Sequence, residues 1–126
     1  MIVGKITLAS LTVPEQSHLN SSRIRFNIIM NELLYDELEA NHCKYFCLTN
    51  GDLVVLEVVE KERKKLLGTV SLNNVCQMVL QNKKIDLEIY LSDYQTSISF
   101  TIIFEHIKKR KNPEPEVIIT NRTAEI

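Results

Sequence analysis

Gly51-Asp-Leu-Val-Val-Leu-Glu-Val-Val-Glu-Lys-Glu-Arg-Lys-Lys-Leu-Leu-Gly-Thr-Val-Ser-Leu72 is the stretch that decides the fold. Leu53 to Val59 is a nearly continuous apolar run rich in Val, which favours extended backbone. Within it Val54, Leu56 and Val58 share one face opposite Val55 and Glu57, so the run is expected to be a central strand. Glu60 to Lys65 are all charged and read as a turn, and after Leu67-Gly68 a second strand is expected.

The same period of two recurs on both sides of this unit. Ile6 and Leu8 alternate with Lys5 and Thr7, and Ile24, Phe26 and Ile28 alternate with Arg23, Arg25 and Asn27. Ile85, Leu87, Ile89 and Leu91 form one apolar set and Ile98, Phe100, Ile102 and Phe104 another, with Ser92 to Thr96 as the turn of a hairpin. A slip of one residue would turn either set to water, which fixes the register. Asn31 to Asn41 has good helix formers and Leu34 four residues before Leu38, and it reads either as a short helix or as an irregular crossing. Asn73 to Asn82 carries the same ambiguity. The expectation is an all-β, antiparallel sandwich of about eight strands over residues 1–107, with at most one or two short helical insertions. Residues 108–126 are charged and interrupted by Pro113 and Pro115, and read as a linker or tail. Long crossover helices, which a parallel sheet needs, are missing from the pattern.

A chain of 126 residues holds one core. Its 44% hydrophobic and 25% charged residues are those of an ordinary globular protein. Fifteen Lys plus Arg against sixteen Asp plus Glu leave a formal net charge of −1, so no global basic field favours nucleic acid. The start, Met1-Ile-Val-Gly-Lys-Ile-Thr-Leu, lacks the pattern of a secretory signal, and no apolar run approaches the roughly 20 residues of a membrane span. The expectation is a cytoplasmic protein, peripheral at most to a membrane or the cytoskeleton. Three Cys without a signal peptide read as reduced, buried thiols.

In outline the chain resembles a C2 domain. Gly4-Lys-Ile-Thr-Leu-Ala-Ser-Leu resembles the opening strand, and Ser21-Ser-Arg-Ile-Arg-Phe-Asn-Ile stands where calcium-binding members carry Asp-Pro-Tyr before an alternating strand. Lys44-Tyr-Phe-Cys-Leu-Thr-Asn-Gly-Asp-Leu resembles the strand and turn before the central strand, and the Leu67-Gly68 step follows the third top loop. The resemblance implies a targeting or scaffolding module, not an enzyme, in which the third loop decides calcium binding. Its two Asp positions are similar to Glu60 and Glu62 here, and the further Asp falls on Lys64 or Lys65. Calcium needs about 6–8 converging oxygen ligands. Two Glu beside Arg63, Lys64 and Lys65 do not build that shell, so no metal or other cofactor is expected.

Two basic groups are the candidate lipid or partner sites: Lys61, Arg63, Lys64 and Lys65 in the charged turn, and Lys108, Lys109, Arg110 and Lys111 after the last strand. At a loop tip the first group could face anionic headgroups; as an ordinary solvated turn it does nothing. The second reads as a lipid patch, a localisation signal or a solvated junction, and without interleaved aromatics nucleic acid is not the expected partner. Zinc is not expected at Cys43 and Cys47, which would lie about 13 Å apart along one strand. His18, His42 and His106 sit in unrelated contexts, no nucleophile or phosphate-cradling motif is present, and no small-molecule substrate is expected. The favoured function is calcium-independent binding of a protein partner or a second copy through an exposed sheet edge or apolar patch, with recognition of anionic lipid as the alternative.

Overall fold

The computed structural model describes residues 1–14, 19–91 and 96–108. Its strands are β1 (Ile2–Thr12), β2 (Ile24–Met30), β3 (Leu33–Leu38), β4 (Cys43–Leu48), β5 (Val54–Glu60), β6 (Lys65–Leu72), β7 (Lys84–Leu91) and β8 (Thr96–Ile107). A 3-10 turn over Ser21–Arg23 precedes β2, and one short helix, α1 (Val75–Leu80), joins β6 to β7. The strands form two four-stranded sheets, β4-β1-β8-β7 and β3-β2-β5-β6, and every pairing is antiparallel. The chain is an all-β sandwich of eight strands.

The core is the union of the inward faces. Ile6 and Leu8 of β1, Phe26 and Ile28 of β2, Leu56 and Val58 of β5, and Ile98, Ile102 and Phe104 of β8 are fully buried. Phe26 and Phe100 meet edge to face across the two sheets, with centroids 4.7 Å apart. The expected alternation in β5 and in the β7–β8 hairpin is therefore the one that packs. Residues 92–95, the hairpin's turn, lie outside the described residues.

Antiparallel pairing throughout sorts the connections to two ends. The β5–β6 turn lies at one, with the start of β2, the end of β3 and the 39–42 segment: Lys61 N donates to Arg23 O at 2.8 Å, and Lys61 Nζ reaches Glu39 at 3.2 Å. The opposite end holds the β2–β3 turn, the β4–β5 loop, α1, the start of β1 and the end of β8, where Val3 pairs with Ile107. We term these the hairpin end and the helix end.

Two glycines set how the sheets close. A Cβ on Gly68 would stand 2.9 Å from Ile89 Cγ2, so Gly68 lets β6 and β7 approach closely. On Gly4 it would stand 2.9 Å from both Phe46 Cε1 and Val79 Cγ1, so Gly4 makes the room in which α1 seats Val79 over β1.

Two ambiguous segments resolve differently. Asn73 to Asn82 contains a helix, α1, framed by Asn74 and Asn82 at φ 57° and 52°. Asn31 to Asn41 is neither a helix nor an irregular crossing. Asn31 and Glu32 have φ of 51° and 72° and turn β2 into β3. The open edge of β2 and the burial of Leu38 override the helical propensity of this segment. The thiols also differ from expectation. Cys43 and Cys47 are exposed and Cys76 is half-buried, because the outward phase of β4 takes both cysteines while Phe46 and Leu48 take the core.

Candidate functional site

The basic turn of the hairpin end is held by its own acids. Lys61 to Lys64 form a four-residue turn whose last residue, Lys64, has φ 54°. Glu60 is only 2% exposed. Its Oε1 accepts the backbone N–H of Arg63 at 2.7 Å, and Arg63 Nε lies 3.8 Å from the same oxygen. Glu62 faces Arg23 at 3.5 Å, and Lys61 faces Glu39 at 3.2 Å. Glu60 thus closes the turn, and Glu62 belongs to an ion pair; neither carboxylate is presented to a common point. Among the described residues no group of three or more His, Cys, Asp or Glu is placed to hold a metal ion.

The second basic group lies elsewhere. Lys108 is exposed at the helix end, just beyond the Val3–Ile107 pair, and Lys109, Arg110 and Lys111 lie outside the described residues. The Lys61–Lys65 turn and Lys108 therefore stand at opposite ends of the sandwich. Lys83 and Lys84 run beside β8, with Lys84 opposite Ile103 and Lys83 O accepting from Phe104 N at 2.8 Å.

A shallow cavity of about 350 Å³ on the outer face of the β1 sheet holds a chain in which Ser10 Oγ donates to Thr101 Oγ1 at 3.3 Å and Thr101 Oγ1 donates to Asp86 at 2.6 Å. The chain ends on an exposed carboxylate with no imidazole in it, so it orders the surface and activates no nucleophile. His42 is exposed, His106 is half-buried, and His18 lies outside the described residues.

Sequence reasoning missed an apolar patch on the other sheet. Register places Leu34 of β3 beside Ile29 of β2, and Ile29 beside Val55 of β5, all on the outer face at the helix end. Leu53 extends this face: its N–H donates to Asn31 Oδ1 at 2.9 Å and its carbonyl accepts from Asn31 N at 2.8 Å. Leu33, Leu34 and Leu53 are 74%, 59% and 67% exposed, too open for core positions. A register shift between Ile28 and Ile29 inserts Tyr35 as an extra residue, exposed at the edge. The signal in the sequence was the pair Leu33-Leu34 beside an acidic run, but its face depends on that shift.

The next row of the same face is polar. Asn27 lies between Glu37 and Glu57, and its Nδ2 donates to Glu57 Oε1 at 3.4 Å. Arg25 reaches Glu37 at 3.7 Å, and Lys44 reaches Asp36 at 3.5 Å across the open side of the sandwich. Asn27 Oδ1 and Arg25 Nε are buried without a hydrogen-bond partner. Beneath the patch, Asp52 accepts from Thr49 N at 2.8 Å, Thr49 Oγ1 at 3.0 Å and Asn31 Nδ2 at 3.1 Å. These donors, Thr49 N first, hold its carboxyl below the usual carboxylate value.

No helix among the described residues is long and apolar enough to cross a membrane. Neither a known protein-family model nor a curated protein matches this sequence.

Proposed function

We propose that this chain is a non-catalytic, calcium-independent interaction module, C2-like in its strand pattern, that binds a protein partner through the outer face of β3, β2 and β5. The observation that carries the reading is the outer-face patch of Leu34 and Leu53 with Ile29 and Val55. Contiguous apolar surface rimmed by polar residues marks an interaction site more often than a catalytic one. Eight antiparallel strands in two sheets are compatible with the C2 resemblance, and the Glu60 contacts support the calcium-independent form of it.

Anionic lipid is the weaker reading. Each cation near a charged leaflet contributes about 1 kcal/mol. Lys61 and Arg63 face Glu39 and Glu60, and Lys108 stands at the opposite end of the sandwich from that turn. Two variants of the full chain separate the readings. If the module binds protein, Leu34→Asp with Leu53→Asp abolishes partner capture from cells, and Lys64→Glu with Lys65→Glu leaves it intact. Sedimentation with anionic vesicles at low salt, lost in the lysine variant, would refute the protein reading in favour of lipid.

A further inference from the structure

The outer apolar face of β3, β2 and β5 combines two independent features that select a ligand, apolar side chains and an acidic rim. We propose that this face binds a protein segment whose apolar side chains are flanked by Lys or Arg. The proposal rests on the interaction-module reading above and names the ligand of that same surface.

The apolar feature sets the size of the occupant. On this face Leu34 and Leu53 are 59% and 67% exposed, with half-buried Ile29 and Val55 as neighbours. A stable pair of folded proteins buries about 800 Å² on each side. The patch alone falls short of that, so it suits a short segment that lays a few apolar side chains across β3, β2 and β5.

Charge sets the composition. Glu37 borders the patch on the β3 side and Glu57 on the β5 side, and Glu32 sits in the β2–β3 turn. The cation reaching this rim, Arg25, is engaged by Glu37. Among the described residues neither Glu32 nor Glu57 has a cationic partner, and Asn27 Oδ1 beside Glu57 lacks a donor. A lysine or arginine entering the row of Glu37, Asn27 and Glu57 meets Glu57 and, beside its Arg25 pair, Glu37. The same charges disfavour a second copy. Face-to-face packing would bring Glu32, Glu37 and Glu57 against their own equivalents, and like charges opposed across an interface are costly. Strand addition to β3 is also opposed, since the Tyr35 bulge and the Asp36–Lys44 pair guard that edge.

The test uses the full chain with ¹³C-labelled Ile, Leu and Val methyls and three capped octapeptides: alternating Leu and Lys, alternating Leu and Glu, alternating Ser and Lys. The Leu–Lys peptide is expected to shift the methyls of Ile29, Leu34, Leu53 and Val55. The other two are expected to bind at least ten-fold more weakly, and Glu57→Lys to weaken the Leu–Lys peptide by a similar factor. Equal binding of the Leu–Glu peptide, or shifts confined to other methyls, would overturn the proposal. So would movement of the patch methyls on dilution without peptide, which means a second copy covers them, or on replacing Val117, Ile118 and Ile119 by Asp, which means the chain's own end does. Peptide binding elsewhere sinks this assignment alone. Partner capture that survives Leu34→Asp with Leu53→Asp sinks the wider reading.

Discussion

Gly4→Ala should unfold the protein more easily, by an amount the packing around α1 sets. The new Cβ would lie 2.9 Å from Phe46 Cε1, 2.9 Å from Val79 Cγ1 and 3.1 Å from Val79 Cγ2. Carbon atoms prefer about 3.5–4.0 Å, so β1 and α1 must separate by a large part of an ångström. Phe46 is pinned by the sheet at 2% exposure, whereas α1 is six residues long and anchored chiefly by Val75 and Val79, so the helix is the part that gives. Overpacking of this kind costs about 1–3 kcal/mol. Val79→Ala alone, which opens a cavity at a fully buried site, should cost a similar amount. Combined, the two should cost less than their sum by about 0.5–1.5 kcal/mol, because the second substitution removes two of the three close contacts made by the first. Urea unfolding of the four proteins at a common slope measures this coupling. Strict additivity, or a Gly4→Ala protein within about 0.5 kcal/mol of the parent, would refute the claim that Gly4 exists to seat the helix.

Four further outcomes follow from the site. Lys64 has φ 54°, so Lys64→Gly should stabilise the protein by about 0.5–1 kcal/mol and raise its melting midpoint by about 2–5 °C, read by thermal unfolding. Asp52 has a folded-state pKa below its ordinary 3.8, so its contribution is complete above that value and lost as pH falls through the lower, folded one; Asp52→Asn should flatten the acid limb of the stability profile and lower stability at pH 7. Calcium at millimolar concentration should leave the melting midpoint unchanged, because ligand binding to the folded state would raise it; a saturable rise would contradict the contacts of Glu60. A thiol reagent should modify Cys43 and Cys47 rapidly in the folded protein and Cys76 more slowly, as their exposure dictates.

The sequence displayed the strands whose two faces differ in polarity. Val54, Leu56 and Val58 of β5 and Ile98, Phe100, Ile102 and Phe104 of β8 are buried at every second position, and that alternation is a direct record of which side faces the core. It failed for β3. Leu33, Leu34 and Tyr35 are all exposed, so the strand carries no alternation over its first half, and only Leu38 marks the inward phase. Asn31 and Glu32 complete the disguise. A tight turn with two positive-φ residues ordinarily announces itself with Gly in second place, and here Glu holds it. The cysteines were misjudged for a related reason: residue type favours burial, but position in β4 relative to Phe46 and Leu48 decides it.

The same logic explains why the charged turn drew attention and the apolar face did not. Charge runs are legible as strings, whereas a surface patch is a property of register. Ile29, Leu34 and Val55 become neighbours only after β3 has paired with β2 through a one-residue shift and β2 has paired with β5. Conversely, Lys61 and Arg63 of the charged turn face Glu39 and Glu60 within 4 Å, which reduces the field they offer to a distant surface. Beside the leucines, the carboxylates without a cationic partner among the described residues are Glu32 and Glu57. If a ligand is selected by what the folded surface leaves uncompensated, its charge is the opposite of the one that the basic runs first suggested.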